Sequence, residues 1–233
     1  MAKSMKIGFI GSGMVAQTLG AKLLELGNEV MISSRDLSVV KDKGNMGKLP
    51  SANQWVAAQE KKGHKAHAGS FADAAAFGEV IFNCTTGIHS LEALNAAGEK
   101  NLRGKILVDI ANPLDFSKGM PPMIAFCNSE SLGERIQAAF PNTKVVKTLN
   151  TVNANIQVNP SLVKGEHSVF LAGNDDEAKK WVNDILLTKW FGWKDVIDLG
   201  DLSASRGMEM YLGLWARMWG KFSTPYVNIK VVR

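Results

Sequence analysis

The sequence predicts a doubly wound α/β fold: a mostly parallel sheet with helices on both faces, followed by a small C-terminal lobe. Three observations carry it. Short apolar runs of strand length alternate with stretches whose apolar residues recur at helical spacing. The first run passes through G-x-G-x-x-A, Gly11 to Ala16, directly into the first helical stretch. The spacing between successive runs up to residue 149 is long enough for the helical crossovers that parallel strands require.

Met5 to Ile10 is the first strand. Met14 to Leu26 places Val15, Leu19, Leu23 and Leu26 at helical spacing, and Gly27-Asn28 ends that helix. Glu29 to Ser33 is the second strand, and Asp36 to Pro50 a polar loop. Ser51-Ala-Asn-Gln54 is a capping box that opens a helix to about Lys61, and Ser70-Phe-Ala-Asp73 caps another short helix. Val80 to Cys84, Lys105 to Ile110 and Lys144 to Leu149 supply three more strands. Beyond them, Ser168 to Ala172 and Asp195 to Leu199 are strand-like, with a helix over Asp175 to Leu187 between them. A last helix runs from Ser203 to about Trp219. The expected division is a dinucleotide-binding domain over residues 1–149 and a C-terminal lobe over 150–233, lying across the carboxyl ends of the strands.

Composition narrows the function. The chain has 233 residues and a net charge of +5, but its lysines are scattered. The densest cluster, Lys61-Lys62-Gly63-His64-Lys65, is no basic stripe, so nucleic acid is not an expected partner. No apolar run approaches the roughly 20 residues of a membrane-spanning helix. Met1 to Lys6 leads straight into a strand without the form of a signal peptide. Cys84 and Cys127 are too few for a disulfide framework, which suits core thiols in a reducing cytoplasm.

The glycines carry the chemistry. In G-x-G-x-x-A after a strand, Gly11 permits the tight turn and Gly13 lets a pyrophosphate approach the backbone. Ala16 lets helix and sheet pack closely. The helix N-terminus, with Ser12, Met14 and Val15 around it, offers free N–H groups to phosphate. An NAD site usually has an acid at the end of the second strand, about 20 residues on. Here Ser33, Ser34 and Arg35 stand there, donors suited to a 2′-phosphate, so NADP is the expected cofactor. Asp36 is one step beyond, and Lys41 and Lys43 read as solvated surface charges.

With these residues the chain resembles the F420-dependent NADP oxidoreductases, and through them the NADPH-binding domain of the STEAP metalloreductases. The resemblance covers nearly the whole chain. It rests on "IGSGMVAQTLGAKLLELGNEVMISSRD", "ADAAAFGEVIFNCTTG", "KILVDIANPLDF", "KVVKTLNTVNA" and "DLSASRGMEMYLGLW". It implies a Rossmann sheet and hydride transfer between NADPH and a planar acceptor, with coenzyme F420 first and a flavin next. It implies that Thr85, Thr86 and Gly87 pass beside the ribose and pyrophosphate, although archaeal members have a Pro and bulky residues there. Asn112 and Pro113 follow the next strand at the same sheet edge. Asn150, Val152 and Ala154 belong to the segment along the nicotinamide, where some members have His in place of Asn150.

No nucleophile elbow, metal-hydrolase motif or carboxylate cluster is present, so no catalytic side chain is expected. Hydride transfer between cofactors requires orientation and a dry gap more than acid–base groups. His89 is the nearest proton donor and reads as a surface or capping residue. Trp181, Trp190, Trp193, Trp215 and Trp219, with Met208, Met210 and Met218, read as core or homodimer interface. Tyr211, Trp215 and Met218 recur at helical spacing on one face, and a minority of this aromatic and Met-rich set reads as acceptor-pocket wall. Two alternatives stand beside this reading. One is a dehydrogenase or reductase of small imino or hydroxy acids, whose C-terminal domain is longer and essentially all helical. The other is a non-catalytic NADP sensor.

Overall fold

The computed structural model describes residues 4–42, 47–119 and 121–233. β1 (Lys6–Ile10) leads into α1 (Met14–Glu25), and β2 (Glu29–Ser33) follows. The loop beyond carries a small antiparallel ladder, β3 (Lys41–Asp42) with β4 (Lys48–Leu49). Next come α2 (Ala52–Glu60), β5 (Ala66–Gly69), α3 (Phe71–Phe77), β6 (Val80–Asn83), α4 (Ser90–Ala97), α5 (Glu99–Leu102) and β7 (Ile106–Asp109). A second small ladder, β8 (Leu114–Asp115) with β9 (Met123–Ile124), precedes α6 (Leu132–Ala139) and β10 (Lys144–Thr148). The remainder is α7 (Ala154–Val158), β11 (Val169–Gly173), α8 (Asp176–Trp181), β12 (Val196–Asp198) and α9 (Ser205–Phe222).

The eight long strands form one sheet in the order β12-β11-β10-β7-β6-β1-β2-β5. Its six strands from β5 to β10 have the 3-2-1-4-5-6 order of a dinucleotide-binding sheet and run parallel. The chain after Asn150 extends that sheet. β11 adds antiparallel to β10, with Thr148 opposite Leu171, and β12 pairs parallel with β11.

Alternation along the strands sends side chains to two cores. Ile7, Phe9, Phe82, Val108 and Val146 meet Leu19 and Leu23 of α1, Trp55 of α2 and Trp193. Ile10, Ile81, Leu107 and Val145 meet Ala74 and Ala75 of α3, Leu94 of α4 and Ile136 of α6. Phe9 and Phe82 stack with ring centroids 4.8 Å apart, joining β1 to β6 where the strand order reverses.

Both expected capping boxes form. The Ser51 hydroxyl accepts from Gln54 N–H at the start of α2, the Ser70 hydroxyl accepts from Asp73 N–H at the start of α3, and both return bonds are present. The helix after Asp175 continues past Leu187, passing from α8 into wider π-type turns over Val182–Trp190. A tryptophan pair closes this stretch, Trp181 and Trp190 meeting edge to face at 5.6 Å. No helix among the described residues is long and apolar enough to cross a membrane.

Candidate functional site

The strand order reverses between β1 and β6, and the loops leaving their carboxyl ends part there. The cleft between them encloses about 190 Å³ and is lined by Gly11, Ser12, Gly13, Ser33, Ser34, Arg35, Phe71, Cys84, Thr85, Thr86, His89, Glu92 and Ala93. A larger cleft of about 700 Å³ lies among residues 159–167 and 191–195, away from the glycine turn. Chemistry, rather than volume, selects the first.

The two glycines differ in what requires them. Gly11 has φ +125°, and a Cβ there would stand 2.8 Å from the Cys84 carbonyl oxygen, so the fold itself demands glycine. Gly13 has φ −76° and ψ −176°, an extended conformation open to any residue. A Cβ at Gly13 would meet nothing within 4 Å. Nothing in the protein fills that space, and a phosphate passing close to the backbone would. α1 begins at this point without a side-chain cap and without an acid in its first turn, so its first N–H groups are free for an anion. Met14 is exposed on that turn, while Ala16 is buried against the sheet. The buried Gln17 steadies the loop, its amide donating to Ser12 O at 3.1 Å and Pro50 O at 2.8 Å.

At the end of β2 the three expected donors separate. The buried Ser33 hydroxyl donates to Phe9 O at 2.6 Å and accepts from Gly11 N–H at 3.3 Å. It is committed to tying the glycine turn to β2. Ser34 and Arg35 are the side chains left to face a ligand, and the Arg35 guanidinium reaches Glu92 Oε1 at 3.3 Å across the cleft. Lys43 lies outside the described residues.

Thr85 and Thr86 line the cleft after β6. Gly87 is forced by packing, because a Cβ there would come within 2.1 Å of the Asn112 carbonyl oxygen. Asn112 and Pro113 thus press against the Thr86-Gly87 loop but do not line the cleft. Asn112 and Asn150 pair reciprocally: Asn112 Nδ2 donates to Asn150 O at 2.8 Å, and Asn150 Nδ2 donates to Asn112 Oδ1 at 2.9 Å and to Met208 O at 3.0 Å. They join the ends of β7 and β10 to the first turn of α9. Val152 and Ala154 are buried beyond them. The turn into this segment is strained, with the fully buried Leu149 at φ +59°. Gln157 braces it by donating to Leu149 O at 2.7 Å.

Beneath these loops lies a polar network that the sequence reading missed. Lys147 Nζ donates to Asp109 Oδ2 at 2.9 Å, to Glu209 Oε1 at 2.8 Å and to the Ala111 carbonyl, and all three charged side chains are fully buried. Glu209 also accepts from Leu132 and Gly133 N–H at 2.9 and 3.2 Å, so a carboxylate on α9 caps α6. From Asp109 the chain of bonds continues through Asn83 Nδ2 at 2.8 Å to Ser90 and the Thr85 hydroxyl on the cleft wall. Burial pushes the Lys147 ammonium down, but Asp109 and Glu209 outweigh it and hold it above its ordinary value. Burial, with Asp109 nearby, pushes the Cys84 thiol up and leaves it a poor nucleophile, but Cys84 is half-buried and lines the cleft instead of filling the core as expected. The available signal was charge within strands that a parallel sheet buries on both faces, Asp109 in "KILVDI" and Lys147 in "KVVKTL".

Around α9, Trp193 is fully buried, while Trp215 and Trp219 are half-buried with centroids 5.3 Å apart. Burial pushes the Tyr211 hydroxyl up to about 12. Met208 is buried and Met210 exposed. His89 sits in the turn entering α4 without capping it by its side chain, 3.6 Å from Glu92.

Comparison with known proteins agrees with this geometry. The pattern of the family described as "NADP oxidoreductase coenzyme F420-dependent" matches residues 6–113. A crystal structure from Arthrobacter sp. FB24, provisionally assigned as an F420-dependent NADP reductase, is 47% identical with a TM-score of 0.87, covering 99% of this chain and all of that one. The F420-dependent NADP reductase of Methanocaldococcus jannaschii is 27% identical over 97% of this chain and 98% of its own length. The metalloreductase STEAP3 of Rattus norvegicus is 29% identical over 88% of this chain, which spans only 36% of that protein. On this evidence the chain is an NADP-dependent oxidoreductase and belongs to the coenzyme F420-dependent NADP oxidoreductase family.

Proposed function

We propose that the protein transfers hydride between NADPH and a planar acceptor, with coenzyme F420 or a related deazaflavin as the first candidate and a flavin as the second. The single observation that supports the cofactor's placement is Gly13: the fold does not require glycine there, and close approach of a pyrophosphate to the backbone at the start of α1 would account for it. In this reading the backbone from Gly11 to Ala16 holds the pyrophosphate, with Ser12, Met14 and Val15 contributing N–H groups. Ser34 and Arg35 hold the 2′-phosphate, and Ser33 sets the turn that presents them. Thr85, Thr86 and Gly87 flank the ribose. Asn112, Pro113, Asn150, Val152 and Ala154 shape the nicotinamide end, braced by Met208 of α9.

NADP(H), when bound, would supply the hydride chemistry, and the protein's own residues would orient it and exclude water. In this reading no side chain serves as an obligatory acid or base, although His89 and Glu92 line the cleft 3.6 Å apart. The same reading treats residues 1–149 as the NADP-binding unit and 150–233 as a C-terminal lobe packed on it, whose β11 and β12 continue the sheet and whose α9 packs at the ends of β7 and β10. It places the protein in the cytoplasm as a homodimer, in which a second copy covers the exposed Met210, Leu214 and Phe222 of α9. The test is NADPH oxidation against a panel of F420, FMN and a soluble quinone. Fastest turnover with the deazaflavin supports the proposal. NADPH binding without turnover on any acceptor favours the sensor alternative.

A further inference from the structure

The acid missing from the end of β2 stands on the opposite wall of the cleft. Glu92, in the first turn of α4, places Oε1 3.3 Å from Arg35 Nη1 and Oε2 3.6 Å from His89 Nδ1. Both Glu92 and Arg35 line the cleft, and both side chains are more than half exposed. Among the described residues, Glu92 is the one carboxylate partner of Arg35. We propose that Glu92 sets cofactor specificity by holding Arg35 across the cleft mouth, so that a 2′-phosphate must displace it.

The chemistry follows from the guanidinium. Arg presents the same fork of donors to a carboxylate and to a phosphate, so the two anions compete for it. An exposed ion pair is weak enough to exchange on each binding event. NADH carries no 2′-phosphate and leaves the pair in place, so Glu92 weakens NADPH selectively. The preference for NADPH is therefore lower than Arg35 alone would give. An acid also suits the N-terminal turn of a helix such as α4 for local reasons. A role confined to helix stability would not change the ratio of two cofactor affinities, and that ratio is what the experiment reads.

This inference rests on the proposed NADPH site, and calorimetry separates the two. NADPH and NADH are titrated into the unaltered protein, Glu92→Gln, Arg35→Ala and the double variant. Glu92→Gln is expected to tighten NADPH by about three- to tenfold while leaving NADH within about twofold. In the Arg35→Ala background the same substitution is expected to change NADPH by less than about twofold, because no guanidinium is left to release. An unchanged NADPH-to-NADH ratio in Glu92→Gln overturns the inference. So does a gain that persists undiminished without Arg35. Failure of the unaltered protein to bind NADPH refutes the site itself, a separate result.

Discussion

Replacing Gly13 by Ala separates what the ligand requires from what the fold requires. The new methyl group meets no protein atom within 4 Å, and φ −76° suits Ala. Loss of unfolded-state entropy favours Ala, and the helix N-cap position favours Gly, so stability should change by no more than about 1 kcal/mol. For a chain of this size that is about 2–4 °C in Tm. The methyl group does occupy the path of the pyrophosphate. Losing one hydrogen bond to a charged phosphate costs about 1.5–3 kcal/mol, or about 10- to 150-fold in Kd. Gly11→Ala is the control: at φ +125°, with a Cβ 2.8 Å from the Cys84 oxygen, strain of about 1–3 kcal/mol falls on the fold. Thermal melts without ligand and calorimetry with NADPH read both quantities. Gly13→Ala should keep its Tm and lose NADPH, whereas Gly11→Ala should melt early. Unchanged NADPH affinity in Gly13→Ala would refute the reasoning.

Arg35→Ala should weaken NADPH by about 10- to 150-fold and leave NADH nearly unchanged, measured by calorimetry. Glu209→Ala strands the buried Leu132 and Gly133 N–H groups at about 1–3 kcal/mol each and also removes a counter-charge from the fully buried Lys147, so urea unfolding should show a loss of at least about 2–6 kcal/mol. Glu209→Gln, which keeps an accepting oxygen, should lose less. The paired bonds from Arg206, with a further bond from Ser131, hold the Glu134 carboxyl below its usual range. That bridge between α6 and α9 is therefore fully formed above the ordinary value of 4.5 and is lost as pH falls through the lower folded value. The Tm difference between the unaltered protein and Arg206→Met should be constant above about pH 5 and shrink below it; a difference independent of pH down to the acid transition would count against it.

Local signals made much of the sheet legible. The glycine turn, the apolar strands and the two capping boxes are encoded within a few residues of where they act. β5 escaped because "AHAG" has no β-branched residue; pairing with β2 makes it a strand, not propensity. α4 and α6 escaped because short helices stabilised by packing carry weak patterns. At the site, Gly11, Gly13, Ser34 and Arg35 were readable from the glycine motif and strand order, and Thr85 and Thr86 from the family resemblance, and all six line one cleft. Phe71, Glu92 and Ala93 were not, since they enter from α3 and α4, far along the chain. The Asp109–Lys147–Glu209 network was hidden for the same reason, its members lying 38 and 62 residues apart. Ser33 shows the converse: the right residue in the right place, with its hydroxyl already bonded within the fold.

The most direct test of hydride transfer is the fate of a labelled hydrogen. NADPH stereospecifically deuterated at C4 is mixed with the protein and a deazaflavin acceptor, and the product is examined by mass spectrometry. Direct transfer across a water-free gap predicts that the deuterium from one face appears in the reduced acceptor. Deuterium released to water would contradict the account.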